Sequence, residues 1–111
     1  MPCKQDIELF LSKVKENISK GQFDFINRDK RELTRLGISY KEAVYIVEHL
    51  QIKNYYRGPA KDHNKKGNTI YEFGFPYDDF DLYIKLTFRA EDDLFIMSFH
   101  EAKKEIKYKY K

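Results

Sequence analysis

The feature that most constrains this chain is a period-two alternation in three segments of its second half, residues 69–75, 82–88 and 94–99. Successive side chains of a strand point to opposite faces, so such alternation marks a sheet with one buried face. In the first segment Tyr71, Phe73 and Phe75 share a face and Glu72 lies opposite. In the second, Leu82, Ile84, Leu86 and Phe88 form the apolar side, leaving Tyr83, Lys85, Thr87 and Arg89 on the other. In the third, Phe95, Met97 and Phe99 are expected in the core, with Ser98 and His100 turned away. If the apolar faces share one core, Glu72, Tyr83, Lys85, Ser98 and His100 converge on one side of a small sheet.

The first half has a helical period. Ile7, Phe10, Leu11, Val14 and Ile18 recur at spacings of three and four between Asp6 and Lys20, and Gly21 is a suitable stop. Phe23 and Phe25 flank Asp24 in a short alternating piece that can add a strand. Asp29 is placed to cap a short helix ending at Leu36, before Gly37. Ser39 with Glu42 reads as a capping box, opening a helix that carries Ala43, Val44, Ile46, Val47 and Leu50. A polar loop is expected from about Lys53 to Asn68, with Gly58-Pro59 as punctuation. Helices first and strands last, without alternation of the two, predict an α+β domain: N-terminal helices on a small antiparallel sheet that ends in a β-meander.

A chain of 111 residues predicts one domain spanning the whole length, and its 16% aromatic content, all Phe and Tyr, suits one modest core. Charged residues make up 35%, and no apolar run approaches the roughly twenty residues a spanning helix requires. The start, MPCKQDIELF, reads as lacking a signal peptide, and the single Cys3 has no internal disulfide partner and falls in a terminus expected to fray. Together these predict a cytoplasmic protein with no membrane attachment. Net charge is only +3, but basic residues concentrate at 57–66 and 103–111. Adjacent in space, the two segments make a positive field for phosphates; the competing reading is solvated surface.

The polar face can serve metal-free cleavage of a ribose phosphodiester, in which the 2′-hydroxyl attacks the neighbouring phosphate. That reaction needs a base, an acid for the leaving 5′-oxygen, and cations around the transition state. Histidine, with an ordinary pKa of about 6.5, exchanges protons near neutral pH, so His100 is the candidate general acid. Glu72 is the candidate base. Lys85 and Arg57 form the phosphate clamp, and Tyr83 can orient the phosphate or stack on a base. Lys61, Lys65, Lys66 and Arg89 are further candidate phosphate contacts. Structural readings stand beside each: His100 capping a strand end, Glu72 and Lys85 as a cross-strand ion pair, Tyr83 as a half-buried sheet tyrosine. His63 with Asp62 and Asn64 lacks metal-site spacing and reads as a polar turn, so neither a metal nor another cofactor is expected. The tail IKYKYK alternates lysines with Ile106, Tyr108 and Tyr110, either as an RNA-backbone rail or as a charged edge strand or loose terminus.

The order of ELFLSKVKENISKGQF, RELTRLGISYKEA, YYRGPAKD, TIYEFG, DLYIKLTF and FIMSFHEA resembles the MqsR-type (motility quorum-sensing regulator) toxins of bacterial toxin–antitoxin systems. The resemblance implies a RelE-like fold and a ribonuclease that cleaves messenger RNA, restrained by a cognate antitoxin. The family's reactive tyrosine before an IKL or LKL run falls on Tyr83, and its basic residue after an aromatic pair falls on Arg57. A position that is glutamine in some members is Glu72 here, and the basic residue after the Ser-Phe pair is His100. A second function on the same fold is a non-catalytic RNA-binding or regulatory protein.

Overall fold

The structure is a computed structural model that describes residues 3–25, 29–61, 69–89 and 93–110. Helix α1 spans Lys4–Ser19, strand β1 Phe23–Phe25, α2 Asp29–Leu36 and α3 Tyr40–Glu48. A single 3-10 turn, Ile52–Asn54, leads into β2 (Tyr55–Lys61), followed by β3 (Thr69–Tyr77), β4 (Phe80–Phe88) and β5 (Leu94–Glu101). The sheet order is β1-β5-β4-β3-β2. Strands β2 to β5 form an antiparallel meander, and β1 adds to β5 in parallel. The architecture is α+β as expected, with a mixed sheet in place of a purely antiparallel one.

The helices end where local chemistry stops them. Gly21 and Gly37 both take positive φ, and after each the chain folds back onto the last turn: Gln22 N–H donates to Asn17 O and Ile38 N–H to Leu33 O. Cys3, expected to fray, caps α1, its N–H donating to Asp6 Oδ2. Ser39 accepts the Glu42 N–H at 3.0 Å, but the Glu42 carboxylate turns outward to accept the Tyr77 hydroxyl, so half of the expected capping box forms. All three helices contribute to a core against one face of the sheet, where Leu82, Ile84, Leu86, Leu94, Ile96 and Phe99 are fully buried. Phe10 of α1 seats on β3 and β4, its ring 4.2 Å from Tyr71 and 5.3 Å from Phe88.

Two expectations are corrected. Residues 55–61 form strand β2, not a loop. Its pairing with β3 is irregular around Arg57 and Gly58-Pro59, so the sequence lacks regular alternation there, and a proline is tolerated because β2 is an edge. In β5 the parity breaks at Met97: Lys85 pairs with Ser98 while the next residue, Leu86, pairs with Ile96. That bulge inserts one residue. Leu94 and Ile96, not Phe95 and Met97, therefore join Phe99 in the core.

Candidate functional site

The outer face of the sheet, away from the helices, carries two rows set by strand register. Arg57, Glu72, Lys85 and Ser98 lie opposite one another across β2, β3, β4 and β5. The next row is Gly74, Tyr83 and His100. The predicted group is thus brought together, and the bulge at Met97 is what keeps Ser98 and His100 on this face despite the parity error upstream.

Glu72 is the hub. It is only 6% exposed, and a buried carboxylate requires partners. Its Oε2 accepts the Arg57 Nε–H at 2.7 Å and its Oε1 accepts the Tyr83 hydroxyl. Its ion pair is therefore with Arg57 of β2. The Arg57 guanidinium lies 4.9 Å from the centre of the Tyr56 ring, and its side chain keeps 60% of its exposure. Arg57 is anchored to Glu72 through Nε yet stays largely exposed, the geometry of a cation that can also meet a phosphate. The hydrogen bond to Glu72 raises the Arg57 pKa further above its ordinary value. Burial, then the bond to Glu72, pushes the Tyr83 phenol well above the usual tyrosine range, so Tyr83 keeps its proton.

His100 faces Tyr83 with ring centroids 5.2 Å apart. Its Nδ1 lies 2.8 Å from the Glu101 carbonyl oxygen. A carbonyl only accepts, so Nδ1 carries the hydrogen there and Nε2 is left to give or take a proton. Lys85 is half-buried between Glu72 and Ser98 in register.

Other expected phosphate contacts fall elsewhere. Arg89 sits four residues beyond Lys85, about 13 Å along the strand at ~3.3 Å per residue. It is held by Asp24 and Asp93 and lies over the Phe95 ring, fastening β1 to the end of β4. Lys61 closes β2, and its side chain lies outside the described residues, as do Lys65, Lys66 and the Asp62-His63-Asn64 turn. Among the described residues no group of three or more His, Cys, Asp or Glu could hold a metal ion.

One wall of the site lies outside the strand alternation. Residues 102–110 return across the outer face without forming a strand, and Ile106 and Tyr108 fill the space above Gly74. A Cβ at Gly74 would lie 2.6 Å from Ile106 Cδ1 and 2.7 Å from Tyr108 Oη. Ile106 is buried, and the Tyr108 hydroxyl donates to Asp81 at 2.9 Å. The signal was present in the alternation of the tail with a lone glycine in β3, but only the fold puts the two together.

A small α+β domain with a buried carboxylate hub, a tyrosine, a histidine and cations on the open face of its sheet is the class defined so far. Residues 8–101 match the motility quorum-sensing regulator family, toxin of MqsA, and the chain belongs to that family. It is accordingly a toxin of a toxin–antitoxin system, with an antitoxin as its partner. Comparison with individual curated proteins gave no match. Among the described residues no helix is long and apolar enough to cross a membrane.

Proposed function

We propose that this toxin is an endoribonuclease that cuts messenger RNA by metal-independent acid–base chemistry, acting in the cytoplasm. The observation that carries the reading is the Arg57–Glu72–Tyr83 chain beside His100 on the open sheet face. The substrate's 2′-hydroxyl attacks the adjacent phosphorus while its proton passes to the Tyr83 oxygen, and the phenol's own proton passes to Glu72. Glu72 is then the base, acting through Tyr83. Protonated His100 gives the Nε2 proton to the departing 5′-oxygen. Arg57 and Lys85 offset the charge that grows on the phosphorane-like transition state. Each acid–base step contributes on the order of 10²–10⁴ in rate. The P–O5′ bond breaks as the P–O2′ bond forms, leaving a 2′,3′-cyclic phosphate and a 5′-hydroxyl.

One observation favours the alternative of RNA binding without catalysis: both Glu72 oxygens already accept hydrogen bonds, an arrangement that also suits a fixed phosphate clamp. The deciding experiment incubates the purified toxin with messenger-like RNA in excess EDTA and identifies the product ends. Cleavage with the termini named above is expected. Tight binding without cleavage establishes the alternative, and cleavage only on adding Mg²⁺ refutes the mechanism.

A further inference from the structure

The segment 102–110 lies beyond the family match, which ends at residue 101. It is nonetheless seated firmly. Ala102 N–H donates to Asp81 O at 2.8 Å, Ile106 and Tyr108 occupy the notch above Gly74, Tyr108 bonds Asp81, and the Tyr110 ring packs 5.8 Å from Tyr55. The apolar and aromatic side chains of the alternation go down onto the sheet, while Lys107 and Lys109 are exposed.

This seating aims charge at one place. Lys109 lines a cleft of about 830 Å³ together with Arg57, Glu72 and Tyr55. Its Nζ is 6.0 Å from the Tyr55 ring centre, and Lys4 Nζ is 6.0 Å from that of Tyr110. Lys4 and Lys109 thus flank the Tyr55–Tyr110 pair, and the cleft wall carries the cations Arg57 and Lys109 beside the acids Asp6 and Glu72, Glu72 being already paired with Arg57. The volume falls within the roughly 300–1,000 Å³ of ordinary ligand sites. Exposed cations spaced along a groove are how proteins track the phosphates of single-stranded nucleic acid, and Arg57 and Lys109 are both exposed. Since the segment is already packed, little ordering entropy is lost when a ligand meets it.

We propose that residues 102–110 form a wall of the substrate groove, and that Lys109, which lines the same cleft as Arg57, holds an RNA backbone phosphate next to the scissile one. The proposal rests on the ribonuclease reading and assigns it a substrate-positioning subsite outside the region shared with the family.

The test uses the full chain and a single-stranded 2′-O-methyl RNA oligonucleotide, whose blocked nucleophile permits binding to be measured without cleavage. Affinity is followed against salt concentration. Lys109→Ala should lose several-fold in affinity at low salt and shallow the log–log salt slope by about 0.7, one single-strand phosphate contact. Its thermal midpoint should match the parent's. Lys41→Ala, on exposed α3 at the helix side, should bind like the parent. If the parent binds the oligonucleotide and cleaves unmodified RNA while Lys109→Ala keeps the parent's affinity and slope, the subsite is refuted and the ribonuclease reading stands. If the parent neither binds nor cleaves, both fall together.

Discussion

The two faces of one sheet follow opposite rules. On the helix side, β4 and β5 present Leu82, Ile84, Leu86, Leu94, Ile96 and Phe99, all removed from water, and the helices cover them. On the outer side the same strands carry Tyr83, Lys85, Ser98 and His100, half-buried, around a carboxylate more hidden than any of them. The inner face gains stability by exclusion of water, at roughly 25 cal/mol per Å² of apolar surface. The outer face holds together by satisfying polar groups, and its buried Glu72 is tolerated because both its oxygens accept hydrogen bonds. One face resists change in volume; the other resists loss of a partner.

The largest effect expected from this contrast is on the inner face. Phe99→Ala should cost about 3–5 kcal/mol of stability, a large share of the 5–15 kcal/mol typical of a folded domain. Its thermal midpoint, read by circular dichroism, should fall sharply, and any activity should be lost through unfolding. One residue further on, His100→Ala should leave the midpoint nearly unchanged while lowering RNA cleavage by about 10²–10⁴. Tyr83→Phe should cleave more slowly and also lower stability modestly, by about 1–3 kcal/mol, since it removes the hydroxyl bonded to buried Glu72. A His100→Ala protein that unfolds would mean the two faces are not functionally distinct.

A smaller effect sharpens the boundary between them. Gly74→Ala pushes a methyl group into Ile106 and Tyr108, which meet it with the far ends of their side chains. The tail should lift while the sheet stays, at a cost of about 1–3 kcal/mol typical of overpacking. Faster amide hydrogen exchange confined to residues 102–110, with protection of Leu82, Ile84 and Leu86 retained, is the outcome that fits. Equal loss of protection in the core strands would show that the tail is an integral part of the fold.

Much of the site was legible because register on a half-buried sheet is enforced by the core. Once Tyr71, Phe73, Leu82, Ile84 and Leu86 must face inward, Glu72, Tyr83 and Lys85 have nowhere else to point. The error in β5 shows the limit of parity. Phe95 and Met97 look like core residues, yet the bulge at Met97 assigns Leu94 and Ile96 to that task. No short-range pattern announces the bulge, which shows only in the pairing of β5 with β4. Strand β2 is illegible in the sequence on similar grounds: Gly58-Pro59 and two register shifts erase its alternation, and pairing with β3 supplies what the sequence does not display.

From its sequence alone, the chain determined three helical segments, the first two with glycine stops, the α+β order of elements, and which side chains of β3 and β4 share the polar face. These are local matters, decided by helical or strand period and by backbone freedom over a few residues. Only the tertiary structure decided that Arg57 reaches Glu72, that Arg89 is held by Asp24 and Asp93, and that the tail folds over Gly74 beside Tyr83. Apart from the local Arg89–Asp93 pair, those contacts join residues fifteen to sixty-five positions apart. They form because burial of a charge or an aromatic ring demands a partner, and only the assembled fold determines which one is within reach.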